Sequence, residues 1–427
     1  MEPRINKIMN IHLKYDQHRE IINNFIWRSM QLFGKHGIIF LIFIFSAKML
    51  TPYEFGIYNY SLAIIFFLII FGDFGISTAS SKFVSEYNAI NKEKLKSVPF
   101  NSAIIILALA IVVTILALLI GPWYLKDKFS YVLYLLPLIF LAPMTSLYDG
   151  LFRGLKQFRK LAFISLIVGV VSLSFVYVLI KNYGLTGALM SQVIFYFLLF
   201  IALSLGYKNF HFRLNKEVIR DIAKYSFIVG IAGIGFFIFT RINILILGKF
   251  GFITEIGYYE IINKIFAILV IPATILAQVI SPTITEMYTK SQIDILISKY
   301  KKYILLSFLL GVILVISTII LFPILLKYFL QQYDSQTLIK ILYILSILLI
   351  TQSISAIASV GFSTSSGYAK LNMYFLLIFG ALNIPLSIIL IKQIGFFGII
   401  YSTLIIKGLS DISFTYYFFK VLKNETK

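Results

Sequence analysis

The chain has 427 residues, of which 59% are hydrophobic and 13% are charged. Soluble domains contain about 45–50% apolar and about 25% charged residues, so the composition excludes a soluble protein and indicates one whose solvent is the bilayer. The formal charge of +20 does not indicate a nucleic-acid partner, because Lys and Arg lie in short loops between apolar segments. With no cysteine and only four histidines, the sequence predicts no disulfide, no metal site and no cofactor.

Apolar runs long enough to cross the hydrocarbon core as helices, roughly 20 residues each, recur along the whole chain. Lipid offers no partners to backbone N–H and C=O groups, so the runs must be helical. The first run is too long for a signal peptide, and we expect an uncleaved span there. The sequence predicts an all-α integral membrane protein with twelve transmembrane helices, at about 25–48, 57–81, 99–121, 131–152, 160–181, 184–206, 222–247, 257–281, 302–323, 338–360, 370–391 and 394–418.

Span 1 carries a polar stripe on an otherwise apolar helix. Arg28, Gln31 and Lys35 occur at helical spacing i, i+3 and i+7, which places them on one face, rising about 10 Å from the membrane edge. Two cations on one face suit the wall of an anion-binding cavity.

Span 2 contains Asp73 within the segment Phe-Gly-Asp-Phe-Gly at 71–75. Charged residues at membrane depth are costly and face a bundle interior or a wet cavity. Three interpretations of Asp73 stay open: a protonatable coupling acid, a counter-ion for a nearby cation, or a residue at a helix bend.

Spans 7, 8 and 12 hold the remaining charges at depth. Arg241 and Lys264 either face a cavity or extend to the interface as long basic side chains can. Glu260 precedes Lys264 by four residues, and Lys407 precedes Asp411 by four, so each pair can neutralise itself along its own helix. Glu260 and Asp411 are therefore candidates for a coupling or counter-ion role.

The two halves of the chain form an internal sequence repeat. At a shift of 201 residues Gly56 and Tyr58 fall on Gly257 and Tyr259, and at a shift of 211 residues the run from Arg159 to Ser191 matches the run from Lys370 to Ser402. Six spans in each copy make the halves parallel repeats, a construction typical of transporters with a substrate pathway between their halves. We predict an N-terminal six-helix lobe at 1–210 and a C-terminal six-helix lobe at 211–427.

The basic residues set the expected orientation. One side of the predicted membrane holds 26 Lys and Arg and the other holds 8, so the positive-inside rule predicts that both termini are cytoplasmic. The location expected is the cell (inner or plasma) membrane.

Several segments together resemble a known family. The segment 50–60 (Leu-Thr-Pro-Tyr-Glu-Phe-Gly-Ile-Tyr-Asn-Tyr), followed by 71–75 and by Ser-Lys-Phe-Val-Ser-Glu-Tyr at 81–87, resembles the first helix pair of the Wzx-type polysaccharide flippases. These belong to the MOP superfamily, which also contains MATE exporters and lipid II flippases. The segments 255–259 and 281–286 are the counterpart in the second half, and 150–154 with 181–187 is similar to the family's fourth-to-sixth-helix region.

The resemblance implies a flippase, not an enzyme, that exports an oligosaccharide joined through pyrophosphate to a polyprenol, as in O-antigen synthesis. It implies a cationic cavity, with Arg28, Lys35, Arg241 and Lys264 at corresponding depth, and Lys407 is a further candidate for substrate binding. Membrane lipids, H⁺ or Na⁺, and polysaccharide polymerase machinery are the expected partners. The sugar, the undecaprenyl or dolichyl carrier and the energy source stay open.

The main alternative is a MATE-like ion-coupled exporter of small molecules. A cationic drug would need carboxylates in a lobe cavity, but span 1 has no acid and has a lysine. A membrane polymerase or glycosyltransferase would need a large outer loop, and the predicted outer loops are all short. The sequence therefore favours the flippase.

Overall fold

The computed structural model describes residues 26–27, 30–31, 37–333 and 335–425. Helices account for 90% of the structure, and the described residues form no β-strand. The all-α fold class predicted from the sequence is confirmed. Contacts divide the chain into two compact units, each described in turn below.

Unit 1 comprises Met1–Met49 and Ile64–Ile231. Its helices are α1 (Gly37–Met49), the second half of α2 (Pro52–Asp73), α3 (Ile76–Ile90), α4 (Lys92–Leu125), α5 (Phe129–Leu133), α6 (Leu138–Gly154), α7 (Phe158–Gly206) and the first half of α8 (Lys216–Lys249).

Unit 2 comprises Leu50–Ala63 and Ala232–Lys427. It contains the remaining parts of α2 and α8, followed by α9 (Ile253–Leu269), α10 (Ile271–Thr289), α11 (Ile293–Phe329), α12 (Ser335–Ser346), α13 (Leu348–Ala356), a π-helical segment (Ile357–Ser363), α14 (Ala369–Ile394) and α15 (Phe396–Asn424). These units are defined by contacts, whereas the lobes 1–210 and 211–427 were defined by the repeat, so the lobe boundary stays a prediction.

Many of these helices are long enough to cross a bilayer. Within the described residues, eight helical segments are sufficiently long and apolar, one of which joins α9 with α10 and another α4 with α5. A ninth span is present if α12 and α13, bent by 44°, are counted together. At 1.5 Å per residue, the 49 residues of α7 are enough for about 74 Å of helix, more than twice the roughly 30 Å hydrocarbon core, and they are divided by a break. This length suits the two spans predicted at 160–181 and 184–206, but the total of twelve is not confirmed.

The break in α7 falls at Gly184, whose φ of 53° and ψ of −127° are not helical. Gly395, its counterpart 211 residues later, precedes α15 with a φ of 62° and a ψ of −145°. Three residues farther on, a Cβ atom on Gly187 would meet the carbonyl of Leu179, and one on Gly398 would meet the carbonyl of Leu390. The same turn between two consecutive helices therefore occurs in both units, as the repeat in the sequence predicts.

The predicted span 57–81 is interrupted, which corrects the sequence-based assignment. Phe74 and Gly75 have φ values of 40° and 81°, so α2 ends at Asp73 and α3 begins at Ile76. A Cβ atom on Gly75 would lie 2.8 Å from the carbonyl oxygen of Ser226 and 2.9 Å from the nitrogen of Gly230. The close approach of α8 therefore requires glycine at this break.

The connector between α7 and α8, residues 207–215, lies against α4. The side-chain amide of Asn101 donates to the carbonyl of Arg213 at 3.0 Å, and its oxygen accepts from the backbone N–H of Asn215 at 3.1 Å. The ring centroids of Phe100 and Phe212 are 5.3 Å apart. The connector is therefore held against α4 through both backbone and side-chain contacts.

Candidate functional site: a cationic cavity in unit 2

A cavity of about 210 Å³ in unit 2 brings together three of the five predicted substrate-binding residues. Arg241 reaches it from α8, Lys264 from α9 and Lys407 from α15. Its other lining residues are Thr240, Glu260, Asn263, Phe266, Ala267, Leu345, Leu348 and Gln352. With three cations and one carboxylate, the lining carries a formal charge of +2.

The cavity is organised around Glu260. The Nη1 atom of Arg241 donates to the Oε2 atom of Glu260 at 3.0 Å, and the amide of Asn263 donates to Oε1 at 3.4 Å. The Glu260 side chain is 4% exposed, whereas that of Arg241 is 31% exposed. The carboxylate is thus fixed in the wall, while part of the guanidinium stays accessible.

Lys264 lies one helical turn after Glu260, on the same face of α9. Glu260 forms an ion pair with Arg241 on the preceding helix. Its neutralisation by Lys264 along its own helix stays a prediction. Both basic residues therefore share the surroundings of one carboxylate, and all three groups line one cavity.

Lys407 and Asp411 do not line the same cavity, although they are four residues apart on α15. Lys407 lines the cationic cavity. Asp411 accepts a hydrogen bond from the hydroxyl of Thr351 at 3.1 Å and lines a second, largely apolar cavity of about 480 Å³ with Tyr300 and Lys301.

Asp73 lies in unit 1, at the end of α2. Its Oδ1 atom accepts from the backbone N–H of Ser77 at 3.1 Å and also from the Ser77 hydroxyl. An N–H in the first turn of a helix has no partner within the helix, so the carboxylate caps α3. This geometry fits the interpretation of Asp73 as a residue at a helix bend.

Arg28 and Lys35 lie outside the described residues, so their predicted role stays a prediction. Gln31, which shares their predicted face, is buried and donates to Asp149 at 3.0 Å. Asp149 also lies 2.7 Å from Nε of Arg153. Asp149 and Arg153 are not among the residues predicted from the sequence, although their i, i+4 spacing is a signal of pairing.

Three uncharged polar residues of the cavity were also not selected: Thr240, Asn263 and Gln352. Amides and hydroxyls supply hydrogen bonds that fix the orientation of a bound ligand. In the sequence these residues are recognisable only as polar residues inside apolar spans. Such a residue is a weaker indication of a binding site than a charged residue, because hydroxyls and amides occur in many membrane helices.

The repeated helical turn, the long apolar helices and the polar cavity define a multi-pass membrane protein of the transporter type. Solved structures with this fold belong to the MOP superfamily. An inward-facing multidrug resistance MATE family transporter aligns with a TM-score of 0.78 and 12% identity over 93% of this chain and 95% of that one. The lipid II flippase MurJ, in an inward closed conformation, aligns with a TM-score of 0.73 and 16% identity over 95% of this chain and 90% of that one.

A third structure, a MOP superfamily transporter from Pyrococcus furiosus, aligns with a TM-score of 0.64 and 14% identity over 96% of both chains. At these identities the likenesses establish the fold alone. The family model described as polysaccharide biosynthesis protein matches residues 21–288, and the chain belongs to that family. No curated protein sequence matches significantly. The predicted membership of a polysaccharide family with the MOP fold is thus confirmed.

Proposed function

We propose that this protein is a flippase that moves a polyprenyl-pyrophosphate-linked oligosaccharide from the cytoplasmic to the outer leaflet by alternating access. Membership of the polysaccharide biosynthesis family and the shared fold with a lipid II flippase support a lipid-linked substrate. The observation that carries the proposal is the cavity in which Arg241, Lys264 and Lys407 meet.

A diphosphate cannot cross hydrocarbon unpaired, since transferring an ion from water to an apolar medium is very costly. Guanidinium and ammonium groups form charge-assisted hydrogen bonds with phosphate oxygens, and arginine binds them in a bidentate manner. In this proposal Arg241, Lys264 and Lys407 bind the diphosphate, and the lipid chain stays in the bilayer. Arg28 and Lys35 belong to the same proposed cationic pathway.

The size of the cavity limits what it can hold. Its volume of about 210 Å³ is below the roughly 300–1,000 Å³ of sites that enclose a drug-sized ligand. It therefore suits the charged linkage of the substrate, with the oligosaccharide outside it. Gln352 and Asn263 offer hydrogen bonds to the linkage or to the first sugar.

Asp411 in unit 2 is the candidate for energy coupling by H⁺ or Na⁺, because Asp73 in unit 1 caps α3 through Ser77. An inward-negative membrane potential also drives an anionic headgroup outward, at about 2.3 kcal/mol per charge per 100 mV. This direction agrees with the proposed transfer from the cytoplasmic to the outer leaflet.

A MATE-like exporter of small molecules is the second candidate, favoured by the TM-score of 0.78 to a multidrug resistance transporter. The lining of the cationic cavity argues against it, because a cationic drug would meet three like charges and one carboxylate that is already paired. An anionic substrate suits this lining.

Complementation of a flippase-null strain tests the proposal. We expect Arg241→Ala, Lys264→Ala and Lys407→Ala each to reduce surface glycan at equal expression. Lys249→Ala, on the same helix as Arg241 but exposed and outside the cavity, is the matched control and should complement fully. Undiminished surface glycan in all three cavity variants would remove the proposed binding site.

A further inference from the structure

The second cavity of unit 2, about 480 Å³ in volume, is separate from the cationic cavity. This apolar cavity lies between α11, α13 and α15, with Lys301 at one end and Asp411 at the other. We propose that it binds an anionic phospholipid, with an acyl chain inside the cavity and the phosphate at Lys301. The inference does not depend on the proposed function.

The polar groups that line the apolar cavity bond to the protein itself. The hydroxyl of Tyr300 donates to the carbonyl of Thr415 at 2.8 Å, and the hydroxyl of Thr415 donates to the carbonyl of Asp411 at 2.8 Å. The hydroxyl of Thr351 donates to the carboxylate of Asp411 at 3.1 Å. An ordered water needs two to four polar partners, so this lining favours hydrocarbon over water.

The apolar cavity opens on an exposed face of α15. Ile412 and Tyr416 line it and are 59% and 70% exposed. Leu409 is 52% exposed, and the spacing i, i+3 and i+7 places all three residues on one face of the helix. Because α15 is long and apolar enough to span a membrane, this face contacts lipid. A lipid chain is therefore the occupant that reaches the cavity from this side.

The Lys301 end of the apolar cavity is positively charged. The Nζ atom of Lys301 lies 5.7 Å from the ring centroid of Phe419. Three further lysines lie within two residues of this pair in the sequence, at 299, 302 and 420. No acidic residue occurs at 295–329 in α11 or at 412–424 in α15. This end therefore attracts an anionic headgroup, whereas a neutral lipid gains nothing from it.

The two ends are separated in the way that a phospholipid requires. Phe419 and Asp411 are eight residues apart on α15, about 12 Å along the helix. With its phosphate at Lys301, a lipid would place its chain along this length. The predicted orientation puts Lys301 on the cytoplasmic side, where anionic lipids concentrate. One lysine near that surface strengthens the attraction about fivefold.

The test uses the absence of cysteine from the chain, which lets a single cysteine carry a fluorescent reporter. Leu409→Cys places the reporter beside the apolar cavity but outside its lining, and Ile313→Cys, at a residue 60% exposed on α11, is the control outside the cavity. Purified protein in detergent is titrated with phosphatidylglycerol or phosphatidylcholine, both carrying brominated chains that quench the reporter on contact. At 409 we expect phosphatidylglycerol to quench at about fivefold lower concentration. At 313 the two lipids should quench equally.

Lys301→Gln, combined with Leu409→Cys, removes the proposed partner of the phosphate. It should abolish the difference between the two lipids. Lys327→Gln, exposed on the same helix but outside the cavity, should keep the difference. If the difference persists in Lys301→Gln, or if both lipids quench the reporter at 409 equally without this change, the inference is wrong.

Ile304→Trp tests the position of the chain, because the larger side chain fills the apolar cavity and leaves Lys301 in place. We expect it to abolish the preference at 409, with thermal unfolding as the check that the variant is folded. A preference kept by the folded variant would place the lipid outside the cavity and contradict the inference. Polyprenyl phosphate is added as a competitor. If it relieves the quenching at lower concentration than unbrominated phosphatidylglycerol does, the cavity prefers a prenyl chain and the phospholipid is the wrong occupant.

Discussion

Gly184 and Gly395, 211 residues apart, have the same backbone conformation at the same point of a repeated helical turn, with φ values of 53° and 62°. Residues with a side chain are strained at these angles, at a cost of roughly 1–3 kcal/mol each. We expect Gly184→Ala and Gly395→Ala to lower the free energy of unfolding by similar amounts. Chemical unfolding in detergent measures this.

Gly37→Ala in α1 is the control for these two variants. A Cβ atom on Gly37, which lies in α1, meets nothing within 4 Å. Alanine favours helix over glycine by about 0.5–1 kcal/mol, so stability should be unchanged or slightly higher. If Gly184→Ala behaves like Gly37→Ala, the turn is not under conformational constraint.

Asp73 should act through its hydrogen bonds and not through its charge. Asparagine keeps the oxygen that accepts from the backbone N–H of Ser77, so Asp73→Asn should fold and transport like wild type. Asp73→Ala removes the cap and should destabilise the protein by about 1 kcal/mol. Thermal unfolding and complementation measure the two effects. Loss of transport in a well-folded Asp73→Asn variant would instead identify Asp73 as a coupling acid.

The hydrogen bonds of Asn101 should protect the connector at 207–215 from cleavage by a protease. Asn101→Ala removes the hydrogen bonds to the part-buried backbone groups of Arg213 and Asn215, at a net cost of about 0.5–1.5 kcal/mol for each bond. A loss of about 1.4 kcal/mol raises the open population tenfold, so trypsin should cleave after Lys208 or Arg213 about tenfold faster. Asn88→Ala changes a partly exposed residue of unit 1 whose hydrogen bond comes from Lys92 and not from the connector, and it should leave the rate unchanged. Equal cleavage of both variants would show that the connector is held by other contacts.

The apolar runs predicted the helices well because burial in lipid acts on each span independently. The run 99–121, for example, lies within α4 (Lys92–Leu125). The break at Phe74 and Gly75 was only one of three open interpretations of Asp73, because it depends on the approach of α8 to Gly75, about 150 residues later. Apolar content in a window carries no information on such a contact.

The candidate site was only partly predictable. The cost of charge at membrane depth selected Arg241, Lys264 and Lys407, and these three share one cavity. Their arrangement could not be derived, because helical spacing detects only pairs on one helix. The bond from Arg241 to Glu260 joins two helices, and the separate surroundings of Lys407 and Asp411 depend on the packing of α9, α13 and α15.

The most direct test of the cationic cavity is the transfer of a fluorescent polyprenyl-pyrophosphate oligosaccharide across proteoliposome membranes. We compare wild type with the triple variant Arg241→Gln, Lys264→Gln and Lys407→Gln, and with a control in which the exposed Lys249, Lys290 and Lys392 are replaced by Gln. The triple variant should fall to the rate of protein-free liposomes, while the control keeps the wild-type rate. Transfer by the triple variant at the wild-type rate, with equal reconstitution, would contradict the account.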